Sequence, residues 1–324
     1  MLTVGRSFAA WSMSSLRKGR STVAANANRH DFIDPRVLAR LAGLGLHARI
    51  PMLGSVSGRH RSPIRGSSLE FAEYRKYVPG DDTRRMDWRA WGRSDRFYIK
   101  EFEADTNLRL CLIVDTSGSL NFAVNGIAKM DYMKSLAGTL AYLTSHQGDA
   151  VGLYCAGQSF HTEIRPKRNA AHLRVVLDQL AAMKAAGETG LAQSLHEAAE
   201  SIGQRALVVV VSDLYIEPEV LNRCFQHLRY RKHDVVVFHL LDQSEVDFNF
   251  DRPTRFLDLE GGAPIMADPS LIAQQYQQAI TGYLADLGTV MRDAAVDYHR
   301  VNLSDPVDEV LARFLVGRKP KTKK

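Results

Sequence analysis

The sequence predicts an α/β protein, an open doubly wound and mostly parallel sheet with a smaller amino-terminal segment packed on it. From residue 108 onward, short runs rich in β-branched residues alternate with amphipathic segments of helical length, which is typical of a parallel sheet covered by helices. Residues 31–105 lack this alternation and are dense in arginine, aspartate and aromatic residues. The length of 324 residues fits about two domains.

The elements of the α/β domain follow from these runs. Strands are expected at 108–114, 151–155, 206–212, 235–241, 255–259 and 296–301, and helices at 129–145, 170–182, 191–202, 218–230, 269–294 and 306–315. Pro218, Pro269 and Pro306 each lie where the first turn of a helix tolerates a missing N–H group. One further helix is expected at 34–46, before the glycine- and serine-rich loops of the amino-terminal segment.

These patterns divide the chain into four parts. We expect a disordered lead-in over residues 1–30, an amino-terminal segment over 31–105 and the α/β domain over 106–316. A basic tail over 317–324 contains Arg318, Lys319, Lys321, Lys323 and Lys324.

Apolar runs and cysteine spacing indicate where in the cell the protein is expected. No apolar run reaches the 18 or more residues that a membrane-spanning helix needs, and the first 30 residues lack the apolar core of a secretory signal. The three cysteines, Cys111, Cys155 and Cys224, are too widely spaced for a paired motif, so we expect buried thiols. The sequence therefore favours a cytoplasmic protein.

The charge distribution raises one functional alternative. The net charge is +6, and residues 1–100 contain 19 Lys and Arg against 8 Asp and Glu. A basic segment of this kind is compatible with binding nucleic acid. Acidic residues are interleaved with the basic ones, among them Glu70, Glu73 and Asp87, and their charge would repel phosphate. Nucleic-acid binding stays as an alternative.

Polar side chains follow two of the predicted strands. Asp115, Ser117 and Ser119 follow the first strand, Asp213 follows the most apolar one, and Thr189 lies in a glycine-rich turn before a helix. Because ligands of doubly wound folds bind at the carboxyl edge of the sheet, we expect these side chains to meet there. Carboxylate and hydroxyl oxygens suit a hard cation such as Mg²⁺. The alternative is a simple turn, since Asp and Ser favour turns. Residues 126–131 are expected to shape the rim.

The pattern D-x-S-x-S, then T, then D, resembles the metal-ion-dependent adhesion site of von Willebrand factor A domains. The upstream segment is similar to the signature of the bacterial "domain of unknown function 58" family, and the runs 240–242 and 305–309 resemble the end of that family. The signature residues are Glu70, Phe71, Arg75, Tyr77, Pro79, Gly80, Asp81, Asp82, Arg84, Asp87, Trp88 and Arg93. The resemblance covers residues 31–316.

This resemblance implies a non-catalytic interaction protein with a von Willebrand factor A-like fold. It implies Mg²⁺, with Mn²⁺ or Ca²⁺ as alternatives, held by Asp115, Ser117, Ser119, Thr189 and Asp213. We expect the hydroxyls to bind the ion directly and one aspartate to act through water. The implied partners are a MoxR-type AAA+ ATPase and a client protein that is assembled or matured. Members with transmembrane helices exist, and this chain resembles the branch without them.

The signature segment has two interpretations. Its arginines and acids can form an ion-pair network that locks the segment onto the α/β domain. The segment can instead present a recognition surface for the ATPase or the client. In that second interpretation the partner-binding residues are Arg75, Tyr77, Asp81, Asp82, Arg84, Asp87, Trp88 and Arg93.

A metal-dependent hydrolase is the enzymatic alternative. An aspartyl phosphatase loop would need a second aspartate two residues after its nucleophile, and that position is Ser117. The chain contains no phosphate-loop motif G-x-x-x-x-G-K-[ST] and no H-E-x-x-H motif, which are the patterns of nucleotide hydrolysis and of zinc proteases. The sequence therefore favours binding over catalysis.

Overall fold

A computed structural model describes residues 11–12, 30–49, 61–62, 69–76, 92, 97–105, 108–124, 126–157, 160–248, 254–258, 265–267 and 269–318. The chain divides into two compact units, residues 1–47 together with 109–324, and residues 48–108. The division falls close to the boundary predicted at residue 106. The larger unit also includes the first helix, which the sequence analysis assigned to the amino-terminal segment.

The described residues form strands and helices with the following bounds. The strands are β1 (Trp11–Ser12), β2 (Arg61–Ser62), β3 (Leu69–Lys76), β4 (Tyr98–Asp105), β5 (Arg109–Asp115), β6 (Ala123–Val124), β7 (Ile127–Ala128), β8 (Ala150–Ala156), β9 (Phe160–Lys167), β10 (Leu207–Ser212), β11 (Asp234–Leu240), β12 (Thr254–Asp258), β13 (Ile265–Ala267) and β14 (Asp297–Val301). The helices are α1 (Pro35–Leu41), α2 (Lys129–His146), α3 (Ala170–Ala182), α4 (Leu191–Ser201), α5 (Pro218–Tyr230), α6 (Gln243–Asp247), α7 (Pro269–Asp293) and α8 (Val307–Gly317).

The larger unit is built on a six-stranded sheet in the order β14-β11-β10-β5-β8-β9. All neighbours pair in parallel except β8 and β9. Numbered along the chain, this order is 3-2-1-4-5-6, that of a doubly wound fold whose switch point lies between the first and fourth strands. The predicted open, mostly parallel α/β architecture is confirmed.

The core lies on both faces of this sheet. Every residue of β10 and β11 is buried, as expected for central parallel strands. On one face, Leu195 of α4, Phe225 of α5 and Leu287 of α7 join a single apolar cluster. On the other, α2 packs on β5 and β8. The three cysteines are free and buried, which agrees with the expectation of buried thiols.

Several described strands, among them β9 and β12, differ from the expectation. The strand β9 was not predicted, and it pairs antiparallel with β8 at the edge of the sheet. The strand β12 was predicted for the parallel sheet, but that expectation is wrong, because β12 pairs antiparallel with β1 and β13 in a separate three-stranded sheet. The predicted helix at 34–46 ends at Leu41, since Gly43 and Gly45 follow and glycine disfavours helix.

The smaller unit contains an antiparallel sheet in the order β2-β4-β3. Its main pair, β3 and β4, has a register shift between Phe71 and Glu73. Arg75 lies in β3, opposite Ile99. The other seven candidate partner-binding residues, Tyr77, Asp81, Asp82, Arg84, Asp87, Trp88 and Arg93, lie outside the described residues.

The two predicted terminal segments fall mostly outside the described part of the chain. Of residues 1–30, only 11–12 and 30 are described, and of residues 317–324 only Gly317 and Arg318. Arg318 is buried, and its guanidinium contacts Asp234 and Asp297. The expectation that Arg318 belongs to a basic tail is therefore wrong, because ion pairs with two carboxylates hold this residue in the α/β unit.

Candidate metal centre

The candidate site lies at the switch point of the sheet. Asp115 is the last residue of β5, and Asp213 directly follows β10. These two strands are parallel neighbours, with Val114 opposite Val211, so their carboxyl ends meet. Asp115, Asp213, Ser117 and Ser119 are all buried. The structure thus places four of the five predicted ligands at one edge of the sheet.

Asp115 is held from two sides. Its Oδ1 accepts a hydrogen bond from the Ser117 backbone N–H at 2.9 Å, and its Oδ2 accepts one from the Ser212 hydroxyl at 2.6 Å. The Ser212 hydroxyl in turn accepts a bond from the Leu214 backbone at 2.9 Å. These bonds fix the orientation of the Asp115 carboxylate relative to the end of β10.

The two predicted serine ligands touch each other. The Ser117 and Ser119 hydroxyls are 2.8 Å apart, and both side chains are buried. Ser119 lies in a short 3-10 helix that directly follows Ser117. The hydroxyl pair and the adjacent Asp115 carboxylate place three oxygen-bearing side chains on one five-residue turn.

Thr189 belongs to a loop tied to this turn. Gly118 donates its backbone N–H to Gly187 at 2.8 Å, and Ala186 donates to Thr116 at 2.9 Å. The Thr189 hydroxyl accepts a bond from the backbone of Leu191, the first residue of α4, at 3.3 Å. The loop is thus positioned against the Asp115 turn, while the Thr189 hydroxyl itself bonds its own helix.

The site carries excess negative charge. Burial, followed by the negative charge of Asp213, raises the pKa of Asp115 to about 6, although hydrogen bonds from Ser212 and Ser117 act to lower it. A carboxylate is disfavoured when it is buried beside another carboxylate. This pair of aspartates therefore favours a cation at the sheet edge.

The structure adds a cation that sequence reasoning missed. The ammonium group of Lys129, the first residue of α2, lies 3.2 Å from Asp213 Oδ2 and 2.7 Å from Glu245 Oε1. Lys129 is fully buried. Its Nζ also lies 5.3 Å from the ring centre of Phe122 and 5.1 Å from that of Tyr215. Residues 126–131 were expected to shape the rim, but the sequence did not single out Lys129, because its partners are 84 and 116 residues away.

Glu245 is itself fixed by several contacts. Its Oε1 accepts a bond from the Tyr215 hydroxyl at 2.8 Å, and its Oε2 accepts one from the Asp242 backbone at 2.8 Å. The second bond completes a capping box at the start of α6. The Glu245 carbonyl accepts a bond from the Tyr276 hydroxyl of α7 at 2.8 Å. These bonds restrict the Glu245 side chain to one orientation, in which its carboxylate bonds the Lys129 ammonium group.

Comparison with known proteins identifies the family. Residues 73–282 match the family described as "Protein of unknown function DUF58". The chain belongs to the DUF58 family. This DUF58 chain is 29% identical over 296 residues to uncharacterized protein Rv1480 of Mycobacterium tuberculosis and, equally, to uncharacterized protein Mb1516 of Mycobacterium bovis. Both alignments cover 90% of this chain and 92% of the relative.

Solved structures similar to the DUF58 chain include BatB from Bacteroides thetaiotaomicron, with 13% identity, a TM-score of 0.46 and coverage of 65% of this chain and 98% of BatB. The SpRpn10 VWA domain is 9% identical, with a TM-score of 0.42 and coverage of 66% of this chain and 99% of that domain. Within the described part of the DUF58 chain, no helix has the length and apolar character needed to cross a membrane.

The donor set at the switch point fits a hard divalent cation. Among the described residues, no group of three or more His, Cys, Asp and Glu forms a metal site, so an ion here would depend on two aspartates and neighbouring hydroxyls. An all-oxygen set of this kind suits Mg²⁺, which usually keeps several waters and only one or two protein carboxylates. Asp115, Ser117 and Ser119, together with Asp213, would hold such an ion.

Proposed function

We propose that this DUF58 protein is a non-catalytic, Mg²⁺-dependent protein interaction module. The observation that carries the proposal is the buried Asp115 carboxylate. It lies on the same turn as the paired Ser117 and Ser119 hydroxyls, and the negative charge of Asp213 raises its pKa. A divalent ion at this point would relieve the repulsion between the two aspartates. Mn²⁺ and Ca²⁺ are the other ions that such oxygen ligands accept.

The ion would supply a binding position for a partner. Two carboxylates and neutral hydroxyls leave part of the charge of a divalent ion unsatisfied, so a carboxylate of a second protein can complete its coordination. Binding of the ion and binding of the partner are then coupled, because each stabilises the other. This coupling makes the module a docking point that needs both components.

We propose a MoxR-type AAA+ ATPase as the partner and an assembling or maturing protein as the client. The support is the family resemblance of the signature segment together with the metal-ion ligand pattern. A cytoplasmic location is part of the proposal, since an ATPase partner needs nucleotide. The smaller unit, including Arg75 in β3, is the second candidate surface for the ATPase or the client.

The non-catalytic role is supported by the residue type at position 117. Both carboxylate oxygens of Asp115 accept hydrogen bonds, from Ser117 and from Ser212. These bonds fix the orientation of the carboxylate, as a metal ligand requires. Position 117, where an aspartyl phosphatase would carry its general acid, is a serine.

Binding of a purified MoxR-type ATPase to the full chain tests this function. Wild type, Asp115→Ala and Asp286→Ala are each immobilised with Mg²⁺ and with chelator. Asp286 is an exposed carboxylate of α7 and serves as the matched control. We expect retention of the ATPase by wild type and by the control in Mg²⁺ only. Equal retention in all samples would place docking elsewhere.

A direct measurement of the ion separates the two halves of the proposal. Titration calorimetry with Mn²⁺ is expected to show one site in wild type and in Asp286→Ala and none in Asp115→Ala. Absence of binding in wild type would refute the metal site. Binding of Mn²⁺ without any retention of the ATPase would refute the partner and keep the site.

A further inference from the structure

We propose that Lys129 is a resident counter-cation that shares Asp213 with the divalent ion and thereby weakens the affinity of the site for that ion. The inference rests on the metal site of the proposed function. The ammonium group offsets part of the negative charge of Asp213. When the ion binds, the same carboxylate must serve two positive charges.

Local structure does not account for a lysine at this position. Lys129 is the first residue of α2, and the amino end of a helix disfavours a positive side chain. The side chain is fully buried, which removes the hydration of its ammonium group. Such a residue persists only when buried partners compensate for this loss, so its position depends on the carboxylates of the site.

The compensating partners of Lys129 are two carboxylates and two aromatic rings. Asp213 and Glu245 both bond the ammonium, and two aromatic rings lie about 5 Å from it, at 5.3 and 5.1 Å. The carboxylates of Glu245 and Asp213 face the ammonium group at 2.7 and 3.2 Å, so these contacts compensate for the hydration that the group loses on burial.

The charge balance then follows directly. Asp213 and Glu245 both bond the one ammonium group, so the site is less negative than its carboxylates alone would make it. A divalent ion that approaches Asp213 meets the positive charge of Lys129 at close range. In a buried site such repulsion is large compared with that in water. The result is a lower affinity and faster release of the ion.

Glu245 controls how strongly Lys129 acts on Asp213. The ammonium lies closer to Glu245 than to Asp213, at 2.7 against 3.2 Å. Glu245 is fixed by Tyr215 and by the capping box of α6, so it holds Lys129 partly away from Asp213. Removal of the Glu245 charge would leave Asp213 as the remaining charged partner of Lys129.

Two substitutions with opposite expected signs test the inference in the full chain. The dissociation constants of Mn²⁺ and Mg²⁺ are measured by titration calorimetry. Lys129→Met keeps the length of the side chain and removes the charge, and we expect binding tighter by roughly tenfold. Glu245→Gln keeps the shape and removes a negative charge, and we expect binding weaker by roughly tenfold.

A matched control excludes a general effect of charge. Lys134→Met removes a positive charge from the same helix, five residues further on, where the ammonium bonds the carbonyls of Ala181 and Met183. We expect a dissociation constant within about twofold of wild type, because no carboxylate of the site is contacted. An equal gain of affinity in Lys134→Met and Lys129→Met would overturn the role of Lys129.

The outcomes separate the two proposals. Binding of Mn²⁺ by wild type with an unchanged dissociation constant in Lys129→Met overturns the counter-cation and leaves the metal site in place. No binding by wild type overturns both. If Lys129→Met does not fold, Glu245→Gln decides, since unchanged or tighter binding in that variant contradicts the inference. Lys129→Arg, which keeps the charge, is expected to bind no tighter than wild type.

Discussion

The guanidinium group of Arg318 bonds both oxygens of Asp234, with Nη1 3.0 Å from Oδ2 and Nη2 3.1 Å from Oδ1. Its Nε donates to Asp297 at 3.1 Å, and Nη1 also donates to the His47 carbonyl at 3.0 Å. Asp234 begins β11 and Asp297 begins β14. One side chain therefore joins two neighbouring strands at the amino edge of the sheet to the segment around residue 47.

Substitution of Arg318 is expected to destabilise the larger unit strongly. Arg318→Ala leaves the Asp234 and Asp297 carboxylates without their shared cation, and breaking a buried ion pair in this way costs about 3–5 kcal/mol. Urea denaturation at pH 7 measures the change. Arg313→Ala is the control, because Arg313 is exposed in its pair with Asp305 and such pairs contribute less than about 1 kcal/mol. Similar losses in both variants would contradict the assignment.

Stability is expected to fall as the pH drops below about 6.5. Burial, followed by the charges of Arg231 and His227, lowers the pKa of His233 to about 4, and burial followed by the charge of Lys129 lowers the pKa of His239 to about 3. The unfolded chain binds these protons near pH 6.5, above the folded pKa values. The contribution of these two histidines to stability is therefore full above pH 6.5 and is lost as the pH falls toward 4.

The measurement is urea denaturation between pH 7 and pH 4.5. Each of the two histidines is expected to lower the free energy of unfolding by up to about 1.4 kcal/mol per pH unit. His233→Gln should remove the contribution of His233 to the change in the free energy of unfolding with pH. His146→Gln, a substitution at an exposed position of α2, should leave the slope unchanged. Equal slopes in wild type and His233→Gln would rule out this origin.

Gly152 permits the close pairing of β8 with β9. A Cβ atom at this position would lie 2.7 Å from the Ile164 carbonyl oxygen and 2.8 Å from Pro166 Cδ. The register of the two strands shifts at this point, between Val151 and Leu153. Gly152→Ala is expected to lower the free energy of unfolding by about 1–3 kcal/mol, because the added methyl group displaces backbone.

Gly282 of α7 provides the control. It has open space around its Cβ position, so Gly282→Ala should stabilise the protein by about 0.4–1 kcal/mol. Thermal unfolding compares the two, and a neutral Gly152→Ala would argue against the close contact.

Asp115→Asn is expected to separate ion binding from folding. The substitution removes one of two repelling carboxylates but also replaces one of the two accepting oxygens with an NH₂ group, so in chelator the midpoint of thermal unfolding should stay close to that of wild type. With Mg²⁺ at a hundred times its dissociation constant, wild type should gain about 2.7 kcal/mol and the variant nothing. Asp286→Asn should behave as wild type does. A persisting Mg²⁺ response in Asp115→Asn would remove that residue from the site.

Most of the sheet and of the ligand pattern could be predicted because their signals are local. The apolar runs around Val208 and Val235 are long enough to mark central strands, and Asp115, Ser117 and Ser119 lie together on one turn. The strand β9 was missed because its exposed edge gives a run of mixed character, with Pro166 near its end. The strand β12 contains the apolar pair Phe256 and Leu257, and only its partners β1 and β13 assign it to another sheet.

The missing part of the candidate site depends on long-range pairing. Lys129 and Glu245 bond across 116 residues, and nothing in either local sequence predicts the other. A lysine at the first position of a helix was the available signal, since that position disfavours a positive charge. The burial of Arg318 was hidden for the same reason. A basic cluster near the end of a sequence resembles a solvated tail until its carboxylate partners are known.

The unpredicted edge strand also affects how copies of the protein meet. Glu163, Arg165 and Lys167 are exposed along β9, and Pro166 lies among them. Proline cannot donate a backbone hydrogen bond, and charged residues on an edge disfavour pairing with another strand. This edge of the sheet is thus protected against pairing with a strand of a second molecule, which limits edge-to-edge aggregation.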